Sequence, residues 1–293
     1  PDASSVDDVE PALTRLTLHH LLTHTSGLTY GFQDGLLAEA YRRAGVDFGD
    51  QSATLAETVS RLARLPLGFE PGSRWHYSVS TDVVGRIVEV ISGRPLDQVF
   101  REDILGPLGM DDTFFAVPED RLGRLASLYA KPPEGGMKLS EDGPGTRFRE
   151  GAVSQHSGGG GLVSTVDDYL RFAEMQRGGG ALGDVRLLGP RTLRLMASNH
   201  LPGDLASMGQ KVWAEVSYEG IGFGLGGWVM LDPVRAQTLG SPGDFGWGGM
   251  ASTVYWVDPA EDMVVIFLTQ LTPSSAYPIR KELRALVYSA LVD

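Results

Sequence analysis

The sequence predicts an α+β protein: helices first, then an antiparallel sheet, then a covering helix. Three observations carry this. Apolar residues recur at helical spacing in the first half of the chain. From about Gly220 the pattern changes to short apolar runs separated by turn residues. The chain then closes on Ile279, Leu283, Leu286, Val287, Ala290 and Leu291, which share one helix face. Helices segregated from strands are the mark of α+β architecture.

The elements follow in order. Leu13 to Thr25 predicts a helix with Thr17 as N-cap and Gly27 as stop. Thr54 to Leu65 repeats Leu55, Val59, Leu62 and Ala63 and ends before Pro66. Asp82 to Ser92 carries the stripe Val83, Val84, Ile87, Val88, Ile91, with Ser80 or Thr81 as cap and Gly93 as stop. Leu96 to Ile104 is a further helix closed by Gly106-Pro-Leu-Gly109. Ala130 to Ala152, rich in Gly, Pro and charge, reads as a surface loop or a weak sheet excursion. Ser164 or Thr165 caps a helix to about Gln176, where Asp167 and Asp168 in the first turn suit the helix dipole. A short helix fits Pro190 to Ala197. Gly222 to Met230, Ala236 to Leu239, Ser252 to Val257 and Met263 to Thr269 read as strands. Asp258-Pro-Ala-Glu-Asp262 joins the last two as a hairpin, and the apolar run Val264 to Leu268 is expected in the middle of a sheet. Two domains are expected: a mainly helical one, 1–160, and a sheet domain, 161–293.

Bulk properties exclude several classes. The 293 residues suffice for a sizeable core. A net charge of -12 opposes nucleic-acid phosphates and anionic membranes as partners. The chain has no cysteine, hence no disulfide, thiol nucleophile or zinc-thiolate site, and its compartment stays open. The longest apolar run, Met263 to Leu268, is far short of the roughly 20 residues of a membrane span. The opening Pro1-Asp-Ala-Ser-Ser shows no signal peptide and no initiator Met, as expected of a processed or trimmed end.

Three motif matches fail on chemistry. Gly222-Phe-Gly-Leu-Gly-Gly227 fits G-x-G-x-x-G, but a strand-like Trp228-Val-Met-Leu231 follows where a dinucleotide site needs a helix. His20 and His24 stand at i, i+4, but Leu21 occupies the position of the metalloprotease Glu, so both read as structural histidines at a helix end. No serine lies in G-x-S-x-G, so no nucleophile elbow is present.

Tyr77, alone, reads as packing of an aromatic cluster with Trp75 and His76. Its company changes that. HLLTHTSGL (His20 to Leu28), YSVSTDVVGRIVEVISGRPL (Tyr77 to Leu96), LGPLGMDDTFF (Leu105 to Phe115), GGGGLVSTVDDYLRFAEM (Gly158 to Met175) and GWGGMASTVYWVDP (Gly246 to Pro259) occur in that order. Together they resemble the serine β-lactamase and penicillin-binding superfamily, class C-like branch, and within it the family VIII carboxylesterases. The resemblance implies a β-lactamase-like fold and a serine hydrolase working through an acyl-enzyme. It implies Tyr77, in Tyr77-Ser-Val-Ser80, as the proton relay, which requires a phenol made more acidic by a nearby lysine. Ser80 then stands near the substrate or serves as helix cap. Trp247-Gly-Gly249 replaces the family's Lys-Thr-Gly, exchanging a cation for an apolar wall and shifting the substrate toward neutral short-chain esters. Gly248 and Gly249 let the backbone approach the substrate, the Met250 N–H is implied as an oxyanion donor, and Tyr30 as an aromatic lining of the pocket or a loop aromatic. No metal or organic cofactor is implied.

One departure stands out. The four lysines are Lys131, Lys138, Lys211 and Lys281, preceded at the third position by Leu128, Gly135, Met208 and Pro278, so the family's Ser-x-x-Lys is absent. In the family that motif lies upstream of HLLTHTSGL, and only 19 residues precede His20. The expectation is a nucleophile, with the family's first helix and strands, on an N-terminal segment of the same protein supplied separately. β-Lactam, D-amino peptide or acyl-transfer chemistry on the same fold, and a non-catalytic binding protein, remain alternatives.

Overall fold

A computed structural model describes residues 5–213 and 216–292. The chain forms two compact units, Pro1–Glu102 with Gly151–Leu162, and Asp103–Glu150 with Val163–Asp293. The glycine-rich segment after residue 150 thus belongs with the helices, and residues 103–150 with the sheet.

The first unit holds α1 (Leu18–Leu22), α2 (Leu36–Arg43), α3 (Leu55–Leu62), α4 (Ser80–Ser92) and α5 (Leu96–Phe100). Local chemistry starts and stops them. The Thr17 hydroxyl accepts from the His20 N–H while the His20 ring accepts from the Thr17 N–H, a reciprocal capping box. Thr54 and Glu57 repeat the arrangement at α3. Gly93, at φ 69°, ends α4 in the left-handed conformation that a side chain resists. The expected Ser80 or Thr81 cap is not used: the N-cap is Val79, without a side-chain bond, and Ser80 is the first helical residue. α1 is much shorter than the predicted 13–25 helix: it starts only after the Thr17 cap, and past its end His24 turns into left-handed backbone at φ 53°.

A π-helical turn (Arg101–Leu105) spans the boundary in the chain between the units, and α6 (Gly106–Leu108) and a 3-10 turn (Glu119–Arg124) follow in the second. The predicted loop over 130–152 contains a strand pair. β1 (Leu128–Ala130) pairs antiparallel with β2 (Lys138–Glu141), and β12 (Leu271–Thr272) runs parallel to β1. After α7 (Val166–Arg177) come the short pair β3 (Ala181–Leu182) and β4 (Val185–Arg186), α8 (Pro190–Met196) and the pair β5 (Val212–Trp213) and β6 (Val216–Ser217). The main sheet is an antiparallel meander of β7 (Ile221–Phe223), β8 (Trp228–Met230), β9 (Phe245–Gly248), β10 (Val254–Asp258) and β11 (Met263–Phe267), in spatial order β11-β10-β9-β8-β7.

Four sequence expectations change here. The single strand over 222–230 is a hairpin, because Gly224 to Gly227 turn the chain between β7 and β8. The strand expected at 236–239 is replaced by α9 (Pro233–Ala236), which Asp232 caps by accepting from the Val234 and Arg235 N–H groups. The run 264–268 lies in β11, an edge of the described sheet rather than its middle. The strand of Trp247, for which the family resemblance implies an edge position, is the middle one: β9 lies between β10 and β8, in register with β8 at Phe245 and Gly246.

Helices cover both faces of this sheet. Adjacent residues on a strand point to opposite faces. Tyr255 of β10 meets Tyr169 of α7 at 4.9 Å, while Trp256 stacks on Tyr288 of α10 (Ile279–Ser289) at 6.4 Å. Arg284 of α10 lies over the rings of Trp228 and Trp256 at 4.9 and 4.6 Å, and its guanidinium binds Asp244 at 2.9 and 3.3 Å. The Asp244 side chain is 0% exposed. The Tyr288 hydroxyl donates to Asp258 at 2.6 Å. Burial holds the Asp244 carboxyl above its ordinary range, and Arg284 pulls it back. Removing one partner of such a pair leaves a bare buried charge, at about 3–5 kcal/mol. Arg284→Met is therefore expected to lower the unfolding free energy from urea titration by about that cost, and with it the midpoint, and Arg284→Met with Asp244→Asn to recover part of it. Equal midpoints for the single and double variants would remove the pair from this role.

Candidate functional site

Tyr77 sits in an irregular segment just before α4. Its ring is half-buried among three others: Tyr30 at 4.9 Å, His24 at 5.1 Å and Trp75, stacked, at 6.4 Å. Gln33 Nε2 donates to the Tyr77 carbonyl at 3.0 Å. The Tyr30 hydroxyl is hydrogen-bonded to the side chains of Tyr77 and Thr81. Burial, then the neighbouring Tyr77 and Asp82, push the Tyr30 phenol far up, so it stays protonated. Between two neutral phenols either hydroxyl can be the donor; toward an ionised Tyr77 the Tyr30 hydroxyl donates. Tyr30 and Tyr77 are thus joined by chemistry as well as packing.

Beneath them lies a cluster that the sequence did not single out. Asp82 is 1% exposed. Its carboxylate accepts from the Ser157 hydroxyl, and from the Gly159 N–H at 3.1 Å. The chain passes so close that side chains have no room. A Cβ on Gly158 would stand 2.2 Å from the Thr81 carbonyl, and one on Gly159 would stand 2.9 Å from Asp82 Oδ2 and 3.3 Å from the Tyr30 hydroxyl. This explains two of the four glycines at 158–161: they bring backbone N–H groups to a buried acid.

Ser80 goes elsewhere. It is 0% exposed, and its hydroxyl lies 2.7 Å from Ser26 Oγ and 2.8 Å from Ser78 Oγ. Ser78 Oγ in turn lies 3.2 Å from His24 Nδ1. Ser80 is therefore part of a buried row of hydroxyls rather than a surface group beside a ligand. His20 is engaged in the α1 capping box and His24 in this row. Among the described residues no cluster of three or more His, Cys, Asp or Glu is arranged to hold a metal.

Trp247, Gly248, Gly249 and Met250 belong to the second unit, at the end of β9. Trp247 pairs across the sheet with Tyr255 and meets the Phe223 ring edge-on at 5.5 Å. A Cβ on Gly249 would stand 2.3 Å from Thr253 Oγ1, and one on Gly248 would stand 3.0 Å from Arg280 of α10, so neither position admits a side chain. Arg280 donates to the Gly249 carbonyl at 2.9 Å. In a trans peptide the C=O and the next N–H point in opposite directions. Arg280 thus sets the direction of the Met250 N–H, and the Met250 side chain is 70% exposed.

The Beta-lactamase family model matches residues 6–289. The chain belongs to the beta-lactamase family. An uncharacterized Mycobacterium tuberculosis protein is 37% identical over 92% of this chain, which spans 66% of that protein's length. Esterase EstB of Burkholderia gladioli is 34% identical over 97% of this chain and 71% of its own. Among solved structures, EstCE1, a hydrolase with promiscuous acyltransferase activity, superposes with a TM-score of 0.80 at 30% identity, covering 97% of this chain and 74% of its own. This beta-lactamase-family chain thus has esterase and acyltransferase homologues and a serine-hydrolase-type fold. No described helix is long and apolar enough to cross a membrane.

Within this beta-lactamase-family site, burial holds the Asp82 carboxyl up at about 6 against an ordinary 3.8, with the Ser157 hydroxyl and the Gly159 N–H offsetting part of the effect. The native state binds this proton more tightly than the unfolded chain does. The resulting stability is complete below about pH 3.8 and is lost as pH rises through about 6, a difference of about 3 kcal/mol. Asp82→Asn keeps an oxygen for the Gly159 N–H but does not titrate. The stability of the wild type relative to this variant is expected to fall by about 3 kcal/mol between about pH 4 and about pH 8 in urea titrations. A difference that does not change with pH would show an Asp82 that titrates as it does in the unfolded chain.

Proposed function

We propose that this chain belongs to a serine hydrolase that cleaves short-chain carboxylic esters through an acyl-enzyme. The observation that carries the reading is Tyr77, held by three aromatic rings with its hydroxyl bonded by a phenol that keeps its own proton. Such a tyrosine has a fixed orientation and, once ionised, a donor in the Tyr30 hydroxyl, which suits it to accept and return a proton.

The proposed sequence of steps is as follows. A serine of a Ser-x-x-Lys segment, outside these 293 residues, gives its proton to the Tyr77 phenolate, kept ionised by the lysine ammonium of that segment, and attacks the ester carbonyl carbon. The Met250 N–H donates to the oxyanion. Tyr77 returns the proton to the departing alkoxide, and water then repeats the sequence to release the acid. Two observations support a nucleophile from elsewhere in the full protein. None of the four lysines has a serine three residues before it, and the chain spans 66% and 71% of two relatives. Trp247 favours neutral esters, because it offers a wall and one N–H where a cation would hold a carboxylate. Tyr30 lines the acyl side and Gly248 and Gly249 admit the substrate close to β9, while Ser80 supports Tyr77 from within. A second reading, acyl transfer, draws on the promiscuous acyltransferase activity of EstCE1. An alcohol then replaces water in the last step.

In the full protein, Tyr77→Phe is expected to lower p-nitrophenyl butyrate turnover by about 10²–10⁴-fold, the usual worth of a positioned acid–base group. Unchanged turnover would remove Tyr77 from the chemistry. Intact mass after fluorophosphonate treatment locates the nucleophile; label on any residue of this chain would contradict the separate segment. Trp247→Lys is expected to raise the ratio of β-lactam to ester hydrolysis by about 10-fold, since a restored cation meets the β-lactam carboxylate. A constant ratio would separate Trp247 from substrate choice.

A further inference from the structure

The main chain on both sides of Tyr77 is tied to one residue. The His76 N–H donates to the His24 carbonyl at 2.9 Å, and the Ser78 N–H donates to His24 Nδ1 at 3.3 Å. The His24 ring is also packed 5.1 Å from the Tyr77 ring and 6.0 Å from Trp75. His24 is 3% exposed and holds φ at 53°, a region that side chains enter at a cost and that surrounding structure must enforce.

The protonation of this imidazole follows from its partners. A backbone N–H can only donate, so Nδ1 is an acceptor and the ring proton is on Nε2. Burial, then His76, push His24 down to about 3, so the ring is neutral wherever an esterase is assayed. The hydroxyl row has one consistent direction. The Leu28 N–H donates to Ser26 Oγ at 3.2 Å; Ser26 then donates to Ser80, Ser80 to Ser78, and Ser78 to His24 Nδ1. His24 Nδ1 is the acceptor on which both the row and the Ser78 peptide end.

We propose that His24 is a positioning residue for Tyr77, acting as the neutral acceptor that fixes the 76–78 backbone and so the place of the phenol oxygen. This rests on Tyr77 as the proton relay. His24 touches neither substrate nor reacting atoms; it acts through Tyr77. A displacement of about 1 Å in such a group can cost about 10²-fold in rate.

Two replacements separate the acceptor from the packing. Asparagine tolerates left-handed backbone and puts an amide oxygen near the place of Nδ1, without the ring. Phenylalanine keeps a ring and removes the acceptor. In the full protein with p-nitrophenyl butyrate, His24→Phe is expected to lose about 10²-fold in kcat with KM little changed. His24→Asn is expected to stay within about threefold of the wild type. Equal losses in both, or a loss of thermal stability alone with kcat retained, would overturn the proposal. Should His24→Phe fail to fold, His24→Gln serves, since its oxygen lies one bond further out and misses the Ser78 N–H. The Tyr77 Cζ resonance of 13C-labelled protein gives a readout independent of turnover. It is expected to move in His24→Phe or His24→Gln and to hold in His24→Asn; the same resonance in all would overturn the proposal even if no ester is cleaved. A wild type without ester turnover but with this resonance pattern would instead remove the esterase reading and leave the positioning intact.

Discussion

The sheet unit depends on one buried guanidinium. Arg284 lies against the rings of Trp228 and Trp256 and closes a two-point bond with Asp244, so strands β8 and β10, the start of β9 and helix α10 meet at a single charged group. A planar cation suits this place because it binds a carboxylate at its edge and aromatic rings at its faces. Tyr288 extends the contact to Asp258, at the far end of β10. With α10 held there, Arg280, one turn earlier, reaches the Gly249 carbonyl and orients the peptide whose N–H belongs to Met250. The aim of one backbone donor at the end of β9 is thus set from the C-terminal helix.

The helical unit reaches a comparable result with neutral groups. Tyr77 has no regular element of its own; it lies between a turn and α4. Its orientation comes from aromatic neighbours, from Gln33 and from the two bonds to His24. Below it, Asp82 gathers the 157–159 segment through backbone and hydroxyl donors. Glycine is required there because Thr81 and Asp82 already fill the space a Cβ would need.

Much of this was legible in the residues, for identifiable reasons. Thr17, Thr54, Thr165 and Gly93 mark helix ends through bonds or backbone angles that act within a few residues, so sequence alone reveals them. The β10–β11 hairpin was equally local. The Asp232-Pro233 start of α9 carried a cap signal that the apolar run after it obscured. The glycines of 224–227 fit close strand packing as well as a turn, and only pairing across the hairpin decides between them. Placing β9 and β11 needs the order of the whole sheet. At the site, Tyr77 and Trp247-Gly-Gly249 stood out as motif residues. Ser80 did not reveal its burial, and the ties from His24 to the Tyr77 segment join positions more than fifty residues apart, which no local pattern reports.

The row from Ser26 to His24 has a further property. It begins at a backbone N–H that cannot give up its proton and ends at a nitrogen already receiving one from another peptide. Every hydroxyl between them points the same way. With the neutral imidazole as the final acceptor, each hydroxyl gives its one hydrogen toward His24 and keeps a lone pair for the donor before it. The polar interior beside Tyr77 is thus closed on itself, each hydroxyl hydrogen being taken up by the next member of the row.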